Sequence, residues 1–352
     1  MILPKLLTVI HEHPGVSDVH ISAEAPMFMR GPAGYAALDE DIVTHADLET
    51  FIASNAIGGQ NWRASLLAHG GKLDGAVDLT NSRVRYSIYE TGGQSHTLNI
   101  VMRIIRRGIL PMEKMGSLQP ILRDITSRGK GLIIITGPTG AGKTTTMNIL
   151  IDRINTERPC HIMTIEDPIE QIHGKKQAII SQREVGTNLD SFASGLEGAM
   201  RQRPDIIAVG ELLDRETVET LFRAADSGHL VLATTHGRSA RDVINRLLGF
   251  FSSDERSQRR QILASCLTCI ISQVLVPSVN RQEWILAAEI LVNTSGIRSI
   301  IASGNLAQLP AAIQQGRSDG MHLLATDLAR LVRDGRINPV QARMASYDDG
   351  VI

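Results

Sequence analysis

Residues Gly137-Pro138-Thr139-Gly140-Ala141-Gly142-Lys143-Thr144 fit the pattern G-x-x-x-x-G-K-[ST]. The chemistry this run supports is phosphate capture. Its glycines let backbone N–H groups wrap phosphate oxygens, and a helix expected from Thr145 points its positive end at them. Lys143 then reaches the β- and γ-phosphates and Thr144 ligates Mg²⁺, with Thr145 next in the binding set. Hydrolysis also needs carboxylates that order Mg²⁺ or polarise a water. Glu166, in Glu166-Asp167-Pro168-Ile169-Glu170, and Glu211, after Gly210, follow apolar runs and are the candidates. The same carboxylates could instead cap the helices that follow. His229 and His236 bracket a further apolar run. His236 follows Thr234-Thr235, where a ring could sense a γ-phosphate; a satisfied surface or core histidine is the alternative for both.

These groups meet only if a sheet carries them to one edge. Residues 131–136, 161–165, 205–209 and 229–234 are short runs without polar alternation, as expected of a parallel sheet covered on both faces. Ligands bind beyond the carboxyl ends of such strands. Residues 1–107 have a different texture, with strands expected at 18–22, 75–79, 84–90 and 98–105 and a helix capped by Thr44 or Asp47. Asn81-Ser82 and Gly92-Gly93 are the expected turns. The pattern breaks at Arg106-Arg107-Gly108-Ile109-Leu110-Pro111, so 108–112 is the expected linker. The fold class is α/β, a small α+β domain followed by an ATPase-like domain over 113–352. Helix-like stretches are expected from about residue 277.

Composition narrows the partners. The 352 residues carry 36 Lys and Arg against 37 Asp and Glu, and aromatic residues make up 3%. Neither a global positive field for nucleic acid nor a supply of stacking rings is present, so no nucleic-acid partner is expected. Three cysteines, Cys160, Cys266 and Cys269, point to a reducing compartment. Cys266 and Cys269 read better as two thiols on one helical face than as half of a zinc site. No run of 18 apolar residues is present, and a soluble, cytoplasmic protein without a membrane span is expected.

The sequence resembles the secretion-type traffic ATPases, and among them the PilT-like type IV pilus retraction ATPases. Residues 137–146 look like the family's Walker A, Thr164-Ile165-Glu166-Asp167-Pro168-Ile169-Glu170 like its aspartate box, and 205–211 like its Walker B segment. Residues 228–236 are similar to its histidine box. The resemblance implies a homohexamer of chains that each join a PAS-like N-terminal domain to a RecA-like P-loop domain. It also implies ATP and Mg²⁺ as cofactors, Glu166 as general base, and Glu211 beside Mg²⁺. His229 and His236 fall in the nucleotide-sensing shell. Arg83, Arg85 and Arg103 match arginines that family members direct at the phosphates, and Gly296-Ile297-Arg298-Ser299-Ile300-Ile301 resembles a C-terminal coupling motif. The implied function is a motor for pilus retraction, peripheral at the inner face of the bacterial inner membrane, with a platform protein there as partner. An ATPase of a type IVB secretion or conjugation apparatus is the alternative. The chain departs from the family pattern at Arg201-Gln202-Arg203-Pro204-Asp205, Leu212-Leu213-Asp214 and Gly237-Arg238.

Overall fold

A computed structural model describes residues 2–54, 57–79, 82–92 and 96–346. The expected turn residues Asn81 and Gly93 lie outside these. The chain divides into two compact units, one of residues 1–108 with Pro277–Trp284, the other of Ile109–Val276 with 285–352.

In the first unit, strands β1 (Asp18–Ser22), β2 (Ala25–Gly31), β3 (Gly34–Val43), β4 (Lys72–Leu79), β5 (Ser82–Thr91) and β6 (Thr97–Arg106) form one antiparallel sheet. Their order is β3-β2-β1-β6-β5-β4. Alternate residues of β5 (Val84, Tyr86, Ile88) and β6 (Ile100, Met102, Ile104) turn inward. They pack with Leu6 and Val9 of helix Ile2–Glu12 and Leu48 and Ile52 of helix His45–Ile52. Thr44 caps the latter helix by accepting the Asp47 N–H. Helix Ile2–Glu12 and strands β2 and β3 are additions to the sequence reading. The helix buries Ile2, Leu6, Val9 and Ile10, a helical spacing that Lys5 interrupts without breaking. Gly31, Pro32 and Gly34 obscure the β2–β3 hairpin, in which Arg30 pairs with Tyr35.

In the second unit, strands β7 (Gly131–Thr136), β8 (His161–Glu166), β9 (Ile179–Glu184), β10 (Ile206–Val209), β11 (Leu230–Thr235), β12 (Leu267–Pro277) and β13 (Trp284–Val292) form a sheet of order β13-β12-β7-β11-β10-β8-β9. From β9 through β12 each neighbouring pair is parallel. The apolar runs follow from burial on both faces. Along β7, Leu132 and Ile134 pack toward helices Phe192–Arg201, Arg215–Asp226 and Ala240–Gly249, while Ile133 and Ile135 pack toward helices Gln119–Ser127 and Lys143–Glu157.

Two expectations are corrected. Residues after 277 do not begin with helix: Trp284–Val292 is a strand, and helices resume at Ser295–Ser303. Its Leu, Ala and Glu favour helix locally, but the sheet needs a partner beside β12, and tertiary packing overrides propensity. Cys266 and Cys269 do not share a helical face. Cys266 ends helix Ser253–Cys266, Cys269 lies in β12, and the two enter the cores on opposite sides of the sheet. Burial pushes both thiols up to about 12, which keeps them protonated. Among the described residues no helix is long and apolar enough to cross a membrane.

Candidate active site

The phosphate loop begins where β7 ends. Gly137, Gly140 and Gly142 have φ of +149°, +79° and +82°. A Cβ at Gly137 would overlap the carbonyl oxygen of Gln273, so the close approach of β12 requires glycine there. Gly142 precedes helix Lys143–Glu157 without a side-chain cap, leaving that helix's first N–H groups for an anion. Pro138, Thr139 and Gly140 are exposed, Ala141 is buried, Thr144 is half-buried and Thr145 exposed. Lys143 Nζ donates to the carbonyls of Gly137 (2.9 Å) and Pro138 (3.1 Å). Burial lowers its pKa, opposed by the charge of Glu211.

Gln273, a residue that the sequence does not single out, holds this loop. Its Nε2 donates to Ala141 O at 2.6 Å and its Oε1 accepts from Thr146 Oγ1 at 3.0 Å, with the residue 1% exposed. The available signal was one amide in the apolar run from Cys269 to Val276. It lies more than a hundred positions from the loop, a separation that spacing cannot bridge.

The strand order delivers the carboxylates. Beside β7 come β11, β10 and β8, each step about 4.8 Å, all with carboxyl ends toward the loop. Glu166 is the last residue of β8 and is 4% exposed. Its Oε1 accepts from Thr164 Oγ1 (2.6 Å) and Gln182 Nε2 (3.2 Å). Burial raises its pKa, and these hydrogen bonds oppose the rise without cancelling it, while the charge of Glu170 adds to it. Glu211 follows β10. Its Oε1 is shielded from solvent and 2.6 Å from His236 Nε2, yet receives no aligned hydrogen bond among the described residues. Asp167 is exposed, and Ile169 N–H donates to Glu184, not to the candidate carboxylates.

Other candidates stand on other elements. His229 precedes β11, and that strand's six residues put its two ends about 20 Å apart. Its Nδ1 is 2.9 Å from Ser227 Oγ and 3.1 Å from Ala224 O, so within this chain the structure does not bring it to the loop. Arg83, Arg85 and Arg103 belong to the first unit; Arg85 pairs with Arg103 across β5 and β6, and Arg103 Nε donates to Asp18 Oδ1 at 3.1 Å. Arg298 is exposed on helix Ser295–Ser303, whose Ile297 and Ile301 are buried.

The loop, Thr144 and Glu211 fit a magnesium-bound nucleotide. Loop glycines with positive φ and the uncapped first N–H groups of the following helix suit phosphates, and an oxygen donor set with one shielded carboxylate oxygen suits a hard cation.

The family model described as type II/IV secretion system protein matches residues 60–315. A Pseudomonas aeruginosa protein named type IV pilus retractation ATPase PilT is 33% identical over 332 residues, covering 94% of each chain. The crystal structure of the pilus retraction motor PilT with bound ADP superposes with a TM-score of 0.79 at 34% identity, covering 97% of each chain. The Legionella pneumophila ATPase DotB gives a TM-score of 0.83 at 26% identity, covering 94% of this chain and 91% of that one.

Two outcomes follow from this geometry. Gln273→Ala leaves the loop unclamped and should weaken ADP binding about 10-fold, near 1.4 kcal/mol, in a fluorescent-nucleotide titration; unchanged affinity would show that Gln273 is not what holds the loop. The raised pKa of Glu166 means that the folded chain holds its proton more tightly than the unfolded chain does. The stability this contributes is complete below the unfolded value and is lost as pH rises through the folded one. Glu166→Gln escapes that loss, so it should melt at or above wild type at neutral pH, with the difference vanishing under acid. A variant that melts lower at neutral pH would contradict the assignment of burial as the cause.

Proposed function

The chain belongs to the type II/IV secretion system protein family and is an ATPase, and on that premise we propose that it is a PilT-type motor whose ATP hydrolysis powers pilus retraction. The observation that carries the chemistry is the parallel order β7-β11-β10-β8, which turns the loop, Glu211 and Glu166 toward one edge.

In this reading the backbone N–H groups of Thr139, Gly140, Gly142 and Lys143, with Lys143 Nζ, bind the phosphates. Thr144 and Glu211 hold Mg²⁺, which supplies neutralisation of phosphate charge. Glu166 accepts a proton from water as the water oxygen bonds to the γ-phosphorus; the bond to the β–γ bridging oxygen breaks, and that oxygen leaves with ADP. The burial that raises its pKa makes Glu166 a stronger base than an exposed carboxylate. His236, in contact with Glu211, is placed to register the γ-phosphate through that carboxylate.

The rest of the reading is architectural. Residues 1–107 serve as a PAS-like domain, 108–112 as the linker and 113–352 as a RecA-like domain; the helix-covered antiparallel sheet within the one and the parallel sheet within the other support this. Arg85 and Arg103 give their charge to the phosphates, and His229 belongs to the same sensing shell, in a homohexamer at the inner face of the inner membrane. Its partner there is a platform protein of the pilus machinery.

Deleting the gene should leave the source cells with excess pili that do not retract, restored by wild type and not by Lys143→Ala. Unchanged surface pilin would move the same chemistry to a secretion or conjugation apparatus.

A further inference from the structure

Glu166 is oriented as well as buried. Gln182 stands opposite Thr164 in the parallel register of β8 and β9, so both reach the Glu166 carboxylate from one face of the sheet. The orientation of the Gln182 amide is set from behind. His173 N–H donates to Gln182 Oε1 at 2.9 Å, and a backbone donor demands the oxygen there. Nε2 must then face the other way, where it donates to Glu166 Oε1 at 3.2 Å and to Gln171 O at 2.8 Å. The His173 ring is buried, with a pKa lowered to about 4 by burial, and its Nε2 lies 3.2 Å from Asn148 Oδ1. Asn148 sits in the helix that starts at the phosphate loop. A continuous line of contacts, passing through the ring and the backbone N–H of His173, thus runs from that helix to Glu166.

We propose that Gln182 is a positioning residue for the hydrolytic base, an inference that rests on the reading of Glu166 as that base. With Thr164 and Gln182 both donating, the lone pairs of Oε1 are taken, and the proton of the attacking water goes to Oε2. The amide fixes the plane of the carboxylate and holds it there through each turnover. Asn148 and His173 make the orientation of that amide answer to the helix carrying Lys143 and Thr144. The charged neighbours of Glu166 on adjoining segments are carboxylates: Glu170 after β8, Glu184 in register on β9, and Glu211 after β10. Their side chains bring negative charge, and the Glu170 N–H adds a backbone donor to the side-chain donors Thr164 and Gln182.

The test compares full-length wild type, Gln182→Glu, Gln182→Met and Glu166→Gln in steady-state phosphate release across pH, with ATP affinity and melting temperature measured alongside. Gln182→Glu keeps the shape and loses the donor; Gln182→Met loses it without adding charge. In both, kcat should fall at least about 10-fold with KM within about twofold. The acidic limb of the kcat profile should move to higher pH, because a donor to the carboxylate favours its ionised form. A packing role alone would lower the melting temperature and leave that limb in place. Wild-type kcat and an unmoved limb in both variants, with Glu166→Gln inert, would overturn the positioning role alone. Wild-type turnover by Glu166→Gln would overturn the base assignment beneath it.

Discussion

Burial of the second unit's sheet on both faces is the constraint from which its chemistry follows. Leu132, Ile133, Ile134 and Ile135 of β7 are all fully buried, and each such side chain contributes about 1.5–3 kcal/mol. A sheet covered on both sides can be parallel, with helices as crossovers, and a parallel sheet collects its carboxyl ends at one edge. Apolar faces on both sides hold the strands but do not set their register, since a one-residue slip exchanges one apolar side chain for another. Polar contacts at the carboxyl ends supply the missing specification. Thr136 Oγ1 donates to Gly237 O, Thr234 Oγ1 to Gly210 O, and Gln273 spans Ala141 and Thr146. The contacts that fix the register are those that shape the site.

The same burial sets the character of the carboxylates. Glu166 is enclosed by the sheet and its helices, so its proton is held more tightly, and an ionised Glu166 is both a better base and a burden on stability. Glu211 lies one strand nearer the loop, partly open and beside His236, a setting suited to a cation. Two carboxylates on neighbouring strands therefore differ in exposure and partners, with no difference in residue type.

What the sequence discloses divides along the same line. The glycine loop, the apolar runs and the acids that end them are local, and the strands at 131–136, 161–166 and 206–209 appear where periodicity puts them. The edge strands are harder to read. Ile179–Glu184 is mostly polar, and Trp284–Val292 has helix-favouring residues that only its place beside β12 turns into a strand. Gln273 and Gln182 are invisible for another reason: each acts through a neighbour on a different element, and nothing at either position marks it as more than a polar residue. His229 shows the converse. It shares an apolar run with His236, and only the length and direction of the strand reveal that the two stand at opposite ends.

The central claim is that this chain turns over ATP at the loop where β7 ends. Phosphate release by purified wild type and Lys143→Ala, measured with ATP affinity, tests it most directly. The account predicts that the loss of the lysine abolishes turnover and weakens binding in a chain that still folds. Release by Lys143→Ala at the wild-type rate would contradict it.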